Sequence, residues 1–189
     1  MFSDNLIHKI CKQYEIKSLV KHYQWKKSGD EHEIYANKIN NNWDSDSPLK
    51  IMVSDMTNIS YKGRKCEWTY ILDTYNNSII ASAYSFKRGD SRPYYNCLEQ
   101  LKEIIKKEEI THPIYYHTDQ GSVYSSRAYN LGMTNYNIER SMSRAGTPTD
   151  NPSSYDSIDD FFEEYIYYFN HKRPSHKLQY KNPYQFTAE

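Results

Sequence analysis

Short apolar runs alternate with polar stretches along the chain, and their spacing predicts most of its helices and strands. Near the start, apolar residues at helical spacing predict a short helix over residues 4–14. Residues 40–48 are rich in Asn, Asp and Ser and end in Pro, a composition that favours turns. We therefore divide the chain into an N-terminal arm and linker, residues 1–48, and a core, residues 49–189.

The core opens with three apolar runs separated by turn residues, which predict three consecutive antiparallel strands. Further runs at helical and strand spacing follow. The predicted elements are strands over 50–55, 67–73 and 78–84, a helix over 93–109, a strand over 113–117, a helix from Ser122, a strand over 137–141 and a helix over 158–170. This order is typical of the ribonuclease-H-like fold. We therefore predict an α/β protein with a mixed sheet flanked by helices and a short helical N-terminal arm.

Composition restricts the class of protein more than it identifies a function. Lys and Arg together number 24, as do Asp and Glu, so the formal net charge is zero and neither supports nor excludes nucleic-acid binding. The three cysteines form no CxxC pair, which favours reduced thiols in the cytoplasm. An apolar segment of the roughly 20 residues that a membrane helix needs is absent from the sequence, as is a signal-peptide pattern. We expect a soluble cytoplasmic protein without a membrane partner.

Two acids stand where predicted strands end. Asp55 and Asp119 each follow an apolar run and precede small or polar residues. If both strands lie side by side, the carboxylates meet at one edge, where their repulsion favours a shared cation. Mg2+ prefers such oxygen ligands, and a pair of ions can stabilise in-line phosphoryl displacement if a third acid lies nearby. The alternative interpretation is that both are ordinary strand-end and turn residues.

Four sequence blocks decide between these alternatives. They are SDMT at 54–57, HTDQGSVYSS at 117–126, SMSRAGTPTDNP at 141–152 and YFNHKRPSHKLQYKNPYQF at 168–186. Together they resemble the transposases of bacterial insertion sequences, whose catalytic core is similar to retroviral integrase. The resemblance implies a ribonuclease-H-like domain that cuts and joins DNA with two Mg2+ (or Mn2+) ions. It also implies the ends of a mobile element and target DNA as partners.

Within that resemblance, Asp55 and Asp119 match the first two catalytic and metal-binding acids. The family's third acid is a glutamate about 35 residues after the second, where it completes the two-metal site. Tyr155 stands at that position, and the chain is shorter than the family between about 152 and 160. The simplest explanation is an internal deletion. Residues 1–48 are likewise short, and resemble the remainder of a longer DNA-recognition region.

Other side chains were considered as substitutes or as DNA contacts. Asp159 lies one helical turn after Tyr155 and is the candidate substitute for the third acid, while Asp156 is turned by about 100° on a continuous helix. Tyrosine is a poor Mg2+ ligand, so we predict impaired catalysis. The resemblance also makes three cations candidates for binding DNA phosphates, and the alternative is that they only keep the surface soluble. These cations are Arg144, Lys172 and Arg173.

Three functions remain open at this point. The first is a transposase that catalyses DNA strand cleavage and transfer. The second is a non-catalytic remnant that binds DNA, a full-length transposase or another copy of itself. The third is a stand-alone nuclease of the same fold. An active enzyme needs a third acid beside Asp55 and Asp119, whereas a remnant does not.

Overall fold

A mixed β-sheet forms the centre of the molecule. The computed structural model describes residues 4–14, 32–40, 42–143 and 157–188. Within them, five strands pair in the order β3-β2-β1-β4-β5. The strands are β1 (Ile51–Tyr61), β2 (Arg64–Asp73), β3 (Ser78–Ser85), β4 (Ile114–Asp119) and β5 (Ile138–Ser143). The first three are antiparallel neighbours, whereas β4 pairs in parallel with both β1 and β5.

Helices flank this sheet and precede it. They are α1 (Asp4–Gln13), α2 (Arg92–Lys107), α3 (Ser122–Ser125), α4 (Arg127–Leu131), α5 (Ile158–His171) and α6 (Pro183–Thr187). The longest of these six is α2, at 16 residues, and none is long and apolar enough to cross a membrane. This arrangement confirms the predicted α/β architecture with a mixed sheet and flanking helices.

The first hairpin is longer than the sequence pattern predicts. Strand β1 continues to Tyr61 and β2 begins at Arg64, so only Lys62 and Gly63 form the turn. Both turn residues have positive φ, 45° and 76°, as a two-residue turn matched to the twist of a hairpin requires. The basic cluster at 62–65 therefore belongs to a hairpin end.

Buried side chains form one cluster on each face of the sheet. On the first face, α2, α3 and α4 cover residues such as Met52, Ile71 and Tyr116. On the second face, α5 packs Phe161 and Phe162 against strand residues that include Ile59 and Trp68. Because side chains alternate along a strand, odd-numbered residues of β1 face α5 and even-numbered residues face α2. Asp55 therefore belongs to the face that α5 partly covers.

Part of the stretch that the sequence assigns to the N-terminal arm packs on the core. The amide of Glu33 donates to the Ser125 carbonyl at 2.7 Å, and the amide of Lys38 donates to the Ser141 hydroxyl at 2.9 Å. Ile39 is buried. Residues 33–38 thus lie along the β5 side of the sheet, next to α3.

Candidate metal site at the edge of the sheet

Parallel pairing brings Asp55 and Asp119 to neighbouring strands. Asp119 ends β4, whereas Asp55, predicted as a strand end, lies within β1, which continues to Tyr61. The ladder between β1 and β4 aligns Met52 with Tyr116 and Val53 with His117. If this register continues for two residues, Asp55 stands opposite Asp119. Neighbouring strands lie about 4.8 Å apart, so carboxylates at opposed positions are close enough to interact strongly.

Backbone amides hold each carboxylate. The amide of Met56 donates to Asp55 Oδ1 at 2.8 Å, and the amide of Gly121 donates to Asp119 Oδ1 at 2.8 Å. A Cβ atom at position 121 would lie only 2.8 Å from that same Asp119 oxygen. A residue larger than glycine at this position would therefore displace the carboxylate.

The electrostatics of this edge disfavour a second negative charge. Burial raises the pKa of Asp55 above its usual range, the Met56 amide opposes that rise, and the charge of Asp119 adds to it. Tyr94 of α2 is affected too: burial raises its pKa to about 12, with further contributions from Glu67, Asp119 and Asp55. A divalent cation between the two carboxylates would relieve this repulsion, and carboxylate oxygens are ligands that Mg2+ accepts.

Asp159, the candidate substitute, lies elsewhere on this face. Its carboxylate accepts a hydrogen bond from the Tyr84 hydroxyl at 2.7 Å, and Tyr84 belongs to edge strand β3. Two strand spacings separate β3 from β1, which is about 10 Å. Asp159 is therefore not brought to Asp55 and Asp119.

The described residues do not include position 155, which sequence spacing assigns to the third acid of the site. Tyr155 and Asp156 lie outside the described residues. Among the described residues, no group of three or more His, Cys, Asp or Glu side chains could hold a metal ion. Two acids are in place, and the described chain supplies no third.

Of the three basic residues proposed as DNA contacts, only Lys172 and Arg173 lie within the described residues. Arg144 lies outside the described residues. The Lys172 ammonium lies over the Tyr167 ring at 5.9 Å from its centroid, just beyond the end of α5. The Arg173 guanidinium lies 4.0 Å from the centroid of the Phe169 ring. Arg173 also lines a cavity of about 320 Å3 whose wall includes Thr57 and Tyr70, so its charge is on the same face as Asp55.

A family model and three curated relatives match the chain. The model is that of the integrase core domain, and it matches residues 45–148, which is more than half of the chain. The chain belongs to the integrase core domain family.

The relatives are proteins of mobile elements. This integrase core is 28% identical over 182 residues to a transposase of insertion sequence IS150 from Escherichia coli, covering 85% of this chain and 62% of the relative. It is 30% identical over 170 residues to the transposase of IS904 from Lactococcus lactis, covering 79% and 66%. The chain thus spans about three fifths to two thirds of the length of these relatives. Their identities confirm the resemblance to insertion-sequence transposases.

Solved structures agree on the fold. A chain of the simian T-cell lymphotropic virus intasome matches with a TM-score of 0.58 at 18% identity, covering 86% of this chain and 62% of that one. The catalytic core domain of HTLV-2 integrase, solved in complex with magnesium, matches with a TM-score of 0.53 at 15% identity, covering 75% and 97%. This confirms the ribonuclease-H-like fold predicted from the order of elements.

The integrase core also has an apolar groove beside its acids that the sequence pattern does not indicate. A second cavity of about 320 Å3 lies on the Asp55 face and is lined by Trp43, Val53, Tyr70, Leu72 and Lys177, among others. The Lys177 ammonium donates to the carbonyls of Trp43 and Thr74, at 3.0 and 2.9 Å. Lys177 is 134 residues from Trp43 in sequence, so no local pattern could have predicted this contact.

Proposed function

We propose that this chain is a transposase-type integrase core that keeps a two-acid metal site but is impaired in cutting and joining DNA. The observation that carries the proposal is that Asp55 and Asp119 lie on adjacent parallel strands, where burial and then the charge of Asp119 raise the pKa of Asp55. The family match and the two insertion-sequence relatives support DNA transposition as the process in which the fold takes part.

The metal proposed here is Mg2+ or Mn2+. Asp55 and Asp119 would hold it, because their carboxylates have free lone pairs beyond the one amide hydrogen bond described for each. When bound, such an ion supplies Lewis-acid stabilisation of a phosphate and activates a water or hydroxyl nucleophile. The chain contributes placement: the two backbone amides fix the carboxylates before any ligand arrives.

Impairment follows from the third position. Tyr155 occupies the place of the third acid, and Asp159 is about two strands from Asp55 and engaged by Tyr84. Metal sites tolerate errors of only about 0.2 Å in ligand distance, so an acid roughly 10 Å away does not complete one. We therefore infer that a deletion between about 152 and 160 removed the acid and left the sheet edge intact.

DNA is the proposed partner. Its phosphates would meet Arg173, which lies on the Asp55 face, and Lys172 beside it. Arg144 is proposed as a further contact from its place in the sequence block at 141–152. Because the net charge is zero, this binding should be local and should weaken with salt in proportion to the few cations involved.

A nicking assay on supercoiled plasmid tests this proposal. With Mn2+ present, we expect no nicking above that of the Asp55→Asn variant, while fluorescence anisotropy still detects binding of duplex DNA that weakens in Arg173→Gln. Nicking that Asp55→Asn abolishes would contradict impairment and favour the active transposase or nuclease. A further loss in Asp159→Asn would then identify Asp159 as the substitute acid.

The apolar groove favours a second candidate function, binding to a full-length transposase. Val53, Leu72 and Trp43 line the groove and give it an apolar surface that a protein partner could cover. The test is sedimentation of the labelled chain with a full-length transposase of the family. Association should be lost in Val53→Glu and kept in Ile34→Glu, an exposed control on the arm. Equal sedimentation of the chain with and without the transposase would reject this function.

A further inference from the structure

Arg140 is a buried cation whose hydrogen bonds are incomplete. It lies on β5, and only 6% of it is exposed. Nη2 donates to the Thr118 hydroxyl at 3.0 Å and to the Tyr124 carbonyl at 3.1 Å. Nε and Nη1 are also buried, yet neither has a hydrogen-bond partner in the described part of the chain. Leaving a buried charged donor without an acceptor is costly, so these two groups call for a ligand.

The surroundings of Arg140 provide aromatic rings and no free carboxylate. Its guanidinium lies 5.1 to 5.8 Å from the ring centroids of Tyr35, Tyr116 and Tyr129. Two acids of this region, Glu139 and Glu33, are already engaged. Glu139 pairs with Lys38 at 2.8 Å, and Glu33 accepts the Tyr35 hydroxyl proton. Cation–π contacts stabilise the guanidinium in part, but they leave its positive charge without a counter-ion.

An open pocket lies beside this cation. Its volume is about 430 Å3, and its wall includes Tyr35, Lys38, Asn130, Glu139 and Arg140. Asn130 Oδ1 is a buried acceptor without a partner in the described structure. The Asn130 amide nitrogen donates to the carbonyls of Tyr124 and Ser126, at 3.2 and 2.9 Å, which fixes the orientation of the amide. The two residues that carry the unpaired donors and the unpaired acceptor, Arg140 and Asn130, thus both line this pocket.

We propose that this pocket binds a phosphate group. Phosphate oxygens would accept from Arg140, and Lys38 at the rim would add a second positive charge. Inorganic phosphate near neutral pH also carries a hydroxyl, and a phosphate monoester carries one below its second pKa of about 6; that hydroxyl would donate to Asn130 Oδ1. Sulfate offers the same negative oxygens without the hydroxyl, so it matches only half of the site.

The pocket is separate from the proposed metal site. Arg140 lies opposite Tyr116 in the β4–β5 ladder, and Tyr116 lies opposite Met52 in the β1–β4 ladder. All three therefore share the face of the sheet that α2 and α4 cover. Asp55 belongs to the opposite face. The proposal therefore does not depend on catalysis, and the phosphate can be free, that of a mononucleotide or the terminal phosphate of a polynucleotide.

The first test observes Arg140 directly in the intact chain. The 15N resonance of its buried Nε–H group should shift when inorganic phosphate is titrated at constant ionic strength. The melting temperature should rise with the logarithm of phosphate concentration, and less with sulfate. No shift with phosphate, together with equal melting temperatures in phosphate, sulfate and chloride, would overturn the proposal and leave water as the occupant.

Matched variants locate the binding. Arg140→Met should weaken phosphate binding on the order of tenfold to a hundredfold, as expected for loss of hydrogen bonds from a charged group. Arg127→Met makes the same change at an exposed position of α4 and should bind phosphate as the native chain does. If Arg140→Met does not fold, Lys38→Met at the rim replaces it, with a smaller loss expected. Unchanged affinity in the folded pocket variant would refute the site.

Competition distinguishes the sources of phosphate. An oligonucleotide without terminal phosphate, which carries only phosphodiesters, should displace little inorganic phosphate, because a phosphodiester lacks the hydroxyl that Asn130 requires. A mononucleotide such as AMP should displace it below about pH 6, where its phosphate keeps a hydroxyl. If the oligonucleotide displaced inorganic phosphate and AMP did not, this result would overturn the role of Asn130 and, with it, the monoester specificity proposed here.

Discussion

At the scale of residues, the two carboxylates of the proposed metal site repel each other. Asp55 and Asp119 come from different strands, and each is fixed by one backbone amide. Burial raises the pKa of Asp55 and the charge of Asp119 adds to the rise, which means that the folded protein disfavours its ionised form. A site arranged for a cation is therefore a source of instability when no cation is bound.

Replacing Asp55 should reveal this cost. In metal-free buffer at pH 7, Asp55→Asn should raise the melting temperature, because it removes a charge that burial and Asp119 both disfavour. Calorimetric melting of the two proteins in chelator measures the effect. Asp44→Asn, a fully hydrated carboxylate by comparison, should change the melting temperature little. A lower melting temperature for Asp55→Asn would mean that the carboxylate stabilises the fold.

Glycine at position 121 tests how closely the Asp119 carboxylate is fitted. A Cβ there would lie 2.8 Å from Asp119 Oδ1, so Gly121→Ala should displace the carboxylate. We expect weaker Mg2+ binding, by about tenfold or more, since metal ligands tolerate little displacement. Ser122→Ala, at the next and exposed position, is the control. Equal Mg2+ affinity in Gly121→Ala and the native chain would show that Asp119 does not need this geometry.

At the scale of elements, α5 is the cover of the Asp55 face. Phe162 lies at its centre, with its ring 5.2 Å from that of Trp68 and 4.9 Å from that of Tyr84. The helix begins at Ser157, whose hydroxyl accepts from the amides of Asp159 and Asp160 as an N-cap. These contacts attach α5 to β2 and β3, away from the acids.

Removing the Phe162 ring should destabilise the protein strongly. Phe162→Ala should lower the free energy of unfolding by about 3–5 kcal/mol, the usual cost of a cavity left by a buried phenylalanine. Denaturant unfolding measures this change. Glu163→Ala, on the exposed side of the same helix, should cost less than about 1 kcal/mol. A small effect of Phe162→Ala would mean that α5 does not pack on the sheet in solution.

Asp90 fixes the start of α2 and makes stability depend on pH. It accepts from the Ser85 hydroxyl, the Arg92 amide and the Arg92 guanidinium, and these contacts lower its pKa. An acid with a lowered pKa stabilises the fold above its unfolded pKa of about 4, and this contribution disappears as the pH falls. Asp90→Asn should therefore melt at a lower temperature than the native chain at pH 7, and the two should converge below about pH 4.

Melting curves from pH 7 to pH 2 test the role of Asp90. Asp46→Asn serves as a matched control, because Asp46 also pairs with a cation, Lys50, but on an exposed surface. A constant difference between Asp90→Asn and the native chain across this range would contradict the expected convergence.

Sequence pattern predicts these elements well where apolar spacing is local. The order of strands and helices follows from such runs, and so does the placement of Asp119 at the end of β4. It stops β1 at 55, however, whereas pairing with β2 extends the strand to Tyr61. Residues 56–61 mix polar and apolar positions, and only the partner strand and the Lys62–Gly63 turn make them a strand.

At the scale of the whole molecule, the contacts that define sites join distant parts of the chain. Arg140 and Lys177 carry no local motif for their roles, because their partners include Thr118, Tyr124 and Trp43. Asp159 illustrates the reverse: helical spacing makes it a candidate third acid, but packing of α5 on β3 directs it to Tyr84. Sequence indicates which residues have suitable chemistry, and the tertiary fold decides which of them meet.

The central claim is that this integrase core retains a metal site made by two acids. Titration of Mg2+ by calorimetry, with and without duplex DNA, tests it most directly in three proteins: the native chain, Asp55→Asn and Asp119→Asn. We predict saturable binding to the native chain that each substitution abolishes. Binding that persists in both variants, or its absence from the native chain even with DNA present at millimolar Mg2+, would contradict the claim.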